Sequence, residues 1–350
     1  MSLSCQRLAA AVFSLTAMLF SSTAPAQTPP PQEKLQKFNW GAPTADYYAL
    51  YVAKDQGLFK EVGLEPNFYF FPSGAPLLAG LKSESLDVIT TGLATVFALG
   101  QNIPLKLIYW ELDHAAAEGL AVDPKSGIKD YTQLAKAKAI GAPSGTCAQV
   151  SLVLIAQKLN IKYSDLNIVN IAPPLYNNAL KSGSIQAAVA WSPYSSILQA
   201  AGYQTVNWAS DYTPDGGVCP GLTSVRSKFL AQHPDLGLKL VQVQAKAMDM
   251  IRKDPELAIG VLMKYLSVPR DVAKHIYDRE FAQIPSLQQQ IDPNSPYSLT
   301  AKNAGLAKKL LIASQALATV GTIPAPLSAK AIEEAIDPTP IQRYMKGERK

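Results

Sequence analysis

Residues 64–110 read LEPNFYFFPSGAPLLAGLKSESLDVITTGLATVFALGQNIPLKLIYW. Leu64–Phe71 is an aromatic, strand-like run, and Pro72-Ser73-Gly74 turns into a helix expected over Ala75–Ser83. Leu86–Thr90 is a second strand, Gly92–Gly100 a helix and Leu105–Trp110 a third strand. Short apolar runs alternating with helix-period segments predict βα units in a parallel sheet with right-handed crossovers. Upstream, Phe38–Ala42 adds a strand. Pro43-Thr44-Ala45-Asp46 then opens a helix with Thr44 as its N-cap, ending at Gly57 or Gly63. Tyr69 and Phe71 alternate along their strand and read as packing residues.

Downstream the pattern restarts. Strands are expected at Gly119–Val122, Lys138–Ala142, Asn167–Ala172, Gln186–Trp191 and Tyr203–Asn207. Helices are expected at Cys147–Leu159, Leu175–Ser182 and Pro193–Ala201, and helical periodicity dominates from Ser227 to Ala335. Two α/β blocks with a helical tail fit a two-lobe clamp. One lobe is expected at 38–113 plus 224–345, the other at 116–220, with hinge segments near 113–118 and 217–222.

The first 36 residues stand apart. Arg7, the apolar run Leu8–Phe20 and the small residues Ala24-Pro25-Ala26 read as a signal peptide over 1–26. The apolar run spans ~20 Å as helix, short of the ~30 Å hydrocarbon core. Residues 27–36, with three consecutive prolines, read as a disordered leader. A periplasmic location follows as an expectation.

Across 350 residues the chain is 48% hydrophobic and 17% charged, a globular composition. A net charge of +5, without a Lys/Arg block, gives no footprint for nucleic acid. Three cysteines, three histidines and no HxxxH, CxxC, P-loop, GxSxG or GxGxxG pattern predict neither a metal site nor a cofactor.

In open parallel sheets, ligands bind beyond the carboxyl ends of strands, where helix N-termini converge. Four corners have the required chemistry: Thr44-Ala45-Asp46, Ser73-Gly74-Ala75, Thr90-Thr91-Gly92 and Ser144-Gly145-Thr146-Cys147. Each offers backbone N–H groups, a hydroxyl and the positive end of a helix dipole, which suit an anionic oxygen cluster. Tyr47, Tyr48 and Trp191 add aromatic walls. The candidate ligand residues are therefore Thr44, Tyr47, Tyr48, Ser73, Gly74, Thr91, Gly92, Ser144, Gly145, Thr146 and Trp191. Cys147 has two readings: a thiolate nucleophile activated at a helix N-terminus, or half of a disulfide with Cys219.

These residues also carry a resemblance. The run Tyr51-Val52-Ala53-Lys54-Asp55-Gln56-Gly57-Leu58-Phe59-Lys60-Glu61-Val62-Gly63-Leu64 resembles the opening of solute-binding proteins of ABC importers in the nitrate/sulfonate/taurine/bicarbonate group. Ser73-Gly74, Leu86-Asp87-Val88, Thr91-Gly92, Ala190-Trp191-Ser192-Pro193-Tyr194 and Val225-Arg226-Ser227-Lys228-Phe229-Leu230 continue the likeness in order. The resemblance implies a two-lobe type-II periplasmic-binding fold, a ligand cleft between the lobes and no catalysis. It further implies a monomer that delivers a small anionic solute, a sulfonate or sulfate ester, to an inner-membrane ABC permease. Taurine, nitrate or a pyrimidine precursor are the alternatives on the same fold, and a cysteine-dependent exported enzyme is the rival class. Ser192 stands where several sulfonate- and taurine-type relatives carry an acidic residue, and Asp46 or Asp113 could replace that charge.

Overall fold

The computed structural model describes residues 35–213 and 217–349. The signal peptide expected at 1–26 lies outside them, as does the leader up to residue 34. Gln36 already begins the first strand.

Ten strands form two five-stranded sheets. The first holds β1 (Gln36–Pro43), β2 (Leu64–Phe71), β3 (Val88–Thr91), β4 (Leu105–Asp113) and β10 (Pro220–Arg226), in the order β2-β1-β3-β10-β4. The second holds β5 (Gly119–Val122), β6 (Ile140–Gly141), β7 (Ile168–Val169), β8 (Ala187–Ala190) and β9 (Gln204–Trp208), in the order β7-β6-β8-β5-β9. The two layouts match. In each, three parallel strands are followed by one antiparallel strand, and the block's own last strand lies beyond it.

That antiparallel strand corrects the expectation of wholly parallel sheets. β5 enters the second sheet directly from β4 of the first, and β10 returns from the second block into the first. A strand arriving from another sheet is not bound by the right-handed βαβ crossover, so it can enter in the opposite direction. The crossings run side by side: Pro220 is the register partner of Asp113, and the His114 N–H donates to the Cys219 carbonyl at 2.9 Å.

Several helices begin later than expected. Thr44 is not an N-cap, because its N–H donates to the Phe71 carbonyl at 2.9 Å and prolongs the β1–β2 ladder. The helix starts only at Tyr48 (Tyr48–Asp55). The helices expected from Ala75 and Gly92 start at Leu77 and Ala94. Bonds of the i→i+3 kind, Leu77 N–H to Gly74 and Thr95 N–H to Gly92, tighten the chain into a turn ahead of each helix. Tyr69 is 47% exposed and does not pack as expected, since β2 is an edge strand with one face toward solvent.

The tail is helical and touches both blocks. Helix Leu236–Lys253 packs on Tyr48–Asp55, and helix Gly305–Thr319 packs against Ala94–Gly100 and Cys147–Lys158. Among the described residues no helix is long and apolar enough to cross a membrane.

Candidate functional site

A small cleft, partly open to solvent, lies where the corners of the two sheets meet. The first sheet's side supplies Pro43, Ala45, Tyr47, Gly74 and the run Thr91-Gly92-Leu93-Ala94. The second supplies Thr146, Cys147 and Trp191, and the crossings add His114 and Cys219. No Lys or Arg is among these lining residues; an anion here would meet hydroxyls, N–H groups and an imidazole.

Each wall follows from local backbone chemistry. Gly74 allows close approach, because a Cβ there would lie 2.5 Å from the Thr91 hydroxyl. Gly92 lies against sulfur: its Cβ would stand 2.9 Å from Cys147 Sγ. Cys147 and Cys219 are bridged, with Cα atoms 5.4 Å apart, tying the first turn of helix Cys147–Lys158 to the start of β10. A bridged sulfur is not a thiolate, so the nucleophile reading of Cys147 fails. Trp191 is 7% exposed and meets Tyr194 edge to face at 6.3 Å.

Of the ligand residues expected from sequence, Tyr47, Gly74, Thr91, Gly92, Thr146 and Trp191 line the cleft. Ser73 stands next to Gly74 without lining it. Tyr48 is not a cleft residue. It is 1% exposed, its ring packs edge-on to Tyr277 and Phe281, and its hydroxyl donates to the Ile276 carbonyl at 3.4 Å. Ser144 and Gly145 do not serve as anion donors either, since their N–H groups are engaged elsewhere. Ser144 donates to Asn170 Oδ1 at 3.1 Å and Gly145 to Gln149 Oε1 at 2.7 Å. Gly145 instead serves the turn, with φ +71°. Thr44 lies beside the cleft lining, close to the Tyr194 hydroxyl of the second block. Thr146 Oγ1 donates to the Pro143 carbonyl at 2.7 Å and makes no cap bond to its helix, whose first-turn N–H groups have no intrahelical acceptor.

Sequence reasoning missed His114 as a lining residue and Glu280 behind it. Only the place of His114 at the end of β4 pointed to it; nothing local pointed to Glu280, 166 positions further along. Asp46, His114 and Glu280 are all buried, and His114 Nδ1 lies 3.3 Å from Asp46 Oδ1. Burial, then the neighbouring Asp46, push the Glu280 carboxyl well above its usual range.

Comparison with known proteins agrees with this geometry. Residues 44–258 match the NMT1/THI5-like family. A Bacillus subtilis (strain 168) protein named for binding aliphatic sulfonates is 30% identical over 57% of this chain, and the match spans 60% of that relative's length. The taurine-binding periplasmic protein of Escherichia coli (strain K12) is 23% identical over 77% of this chain and 82% of its own. The alkanesulfonate-binding protein of Xanthomonas axonopodis pv. citri, solved bound to MOPS, superposes with a TM-score of 0.67 at 19% identity, covering 86% of this chain and 98% of that one. The fold is therefore the two-lobe fold of periplasmic binding proteins. With the family match running from the first cleft corner into the helical tail, the chain belongs to the NMT1/THI5-like family.

Proposed function

We propose that the chain is the solute-capturing component of an ABC importer, holding a small oxyanion-bearing organic solute, a sulfonate or sulfate ester, between its lobes. The observation that carries this reading is a cleft lined from both sheets by Thr91, Thr146, Tyr47 and Trp191 without a single Lys or Arg. Hydroxyls and helix-start N–H groups suit a weakly basic anion, and the two rings suit an apolar substituent. In this reading Thr44, Ser73 and the cleft-lining candidates hold the solute. The lobes are 38–113 with 224–345 and 116–220, moving about 113–118 and 217–222. The protein works as a periplasmic monomer after loss of 1–26 and hands its solute to an inner-membrane permease. The names of the relatives support that chemistry, and the bridged cysteines favour an oxidising compartment.

A thermal-shift screen of alkanesulfonates, sulfate esters, taurine, nitrate and pyrimidines tests the solute class. Stabilisation by sulfonates is the expected result. A shift with pyrimidines alone would replace the anion by a neutral heterocycle.

A further inference from the structure

Behind the cleft wall lie three ionisable groups that the rest of the fold does not satisfy. Asp46 follows β1, His114 begins the crossing after β4, and Glu280 ends helix Arg270–Glu280; none is more than 3% exposed. Both oxygens of Asp46, both of Glu280, Nδ1 of His114 and the Ser192 hydroxyl lack well-aligned hydrogen-bond partners. One donor atom from each of the three residues lies within 4.8 Å of the others. The 3.3 Å approach of His114 Nδ1 to Asp46 Oδ1 is short enough for an ion pair but lacks hydrogen-bond alignment. Two ligands of one tetrahedral ion with bonds of ~2.0–2.1 Å stand about 3.4 Å apart, edge to edge in this way. The other imidazole nitrogen, Nε2, turns toward β10, where a Cβ on Gly221 would meet it at 3.2 Å.

Charge balance admits an ion here in place of a proton. Two buried carboxylates require a counter-charge or a proton. The neighbouring cation, Arg279, has its guanidinium 3.3 Å over the Trp208 ring and donates to the Ala116 carbonyl. Tyr47 and Tyr48, beside Asp46, are neutral phenols whose ionisation burial pushes further out of reach.

We propose that Asp46, His114 and Glu280 form a binding site for a divalent cation of the zinc class, with the fourth position left to the Ser192 hydroxyl or to water. One imidazole nitrogen with two carboxylate oxygens and no thiolate suits zinc and its neighbours in the first transition row. The site stands on its own donors, whichever solute the cleft takes. An ion there would place positive charge behind Tyr47 and His114 in a wall that holds no Lys or Arg.

The test uses the full, untagged chain freed of metal by EDTA and then titrated with zinc chloride in a calorimeter, without solute. One stoichiometric site is expected, with cobalt(II) giving the visible absorption of nitrogen and oxygen ligation. His114→Gln and Glu280→Gln should each weaken zinc by about tenfold or more. Failure of the native chain to bind one zinc overturns the proposal, even if both variants misfold. Undiminished zinc binding in both folded variants overturns it too, and if their solute affinity falls as well, the triad serves the solute instead.

Discussion

Glu111 lies in β4 with both carboxylate oxygens engaged: Thr223 Oγ1 donates to one at 2.6 Å and Gln244 Nε2 to the other at 3.0 Å. Since the Thr223 proton is committed to Glu111, the Thr90 hydroxyl must donate to Thr223, and Trp40 Nε1 in turn donates to Thr90. This one-way relay crosses the sheet, yet burial outweighs it and pushes the carboxyl up to about 7 from 4.5. The folded state therefore retains a proton that the unfolded chain releases. Stability is full below pH 4.5 for this group and falls as pH rises toward 7, by roughly 3 kcal/mol. Glu111→Gln should flatten the fall of melting temperature between pH 5.5 and 7.5 (a window above most surface carboxylates); an unchanged slope would assign it to another group. Trp191 gives a binding prediction at the same scale. Removing its ring by Trp191→Ala should cost on the order of 1–3 kcal/mol of solute binding, roughly 5- to 150-fold in Kd, read by isothermal titration. The melting curve should fall as well, because the ring is nine-tenths buried and packs edge to face on Tyr194; a variant with native affinity would take Trp191 out of the solute site.

The disulfide is the clearest case of a contact between elements. Cys147 opens a helix of the second block and Cys219 precedes a strand of the first sheet, 72 residues later. Closing a loop of that length removes denatured-state entropy worth up to about 4 kcal/mol. Reduction, or Cys147→Ser with Cys219→Ser, should lower the melting temperature clearly; no change would mean that the bridge constrains little in the unfolded chain. Elements like these were only partly legible in sequence. Short apolar runs and helix-period segments placed every strand of the first block, and the Gly/Ser/Thr corners named several residues that line the cleft. The insertion of β5 and β10 was not legible, because pairing partners far apart in the chain leave no local pattern. Ser144 and Gly145 look like free donors in sequence, and only the reach of Asn170 and Gln149 removes them.

At the scale of the whole molecule, the helical tail holds the crossings. Lys309 lies 3.2 Å from Asp113 Oδ2 and donates to the Gly217 carbonyl, gripping both crossing segments at once. Lys309→Met would leave Asp113 buried without its partner and should destabilise the chain by about 3–5 kcal/mol, measured by chemical denaturation. The Tyr194 hydroxyl, pushed up to about 12 by burial, faces Thr44 from the other sheet, close enough to interact. A bond made only when the lobes are closed adds to the stability of the bound state and nothing to that of an open one. Tyr194→Phe should therefore weaken solute binding by about 1 kcal/mol, roughly fivefold in Kd. The solute-free melting temperature and radius of gyration should match those of the native chain. Saturating solute at 100 times its Kd should still stabilise the native protein by ~2.7 kcal/mol and compact it in small-angle scattering. If Tyr194→Phe instead lowers the solute-free melting temperature and leaves affinity intact, the lobes are already joined without solute, and closure is not what the solute drives.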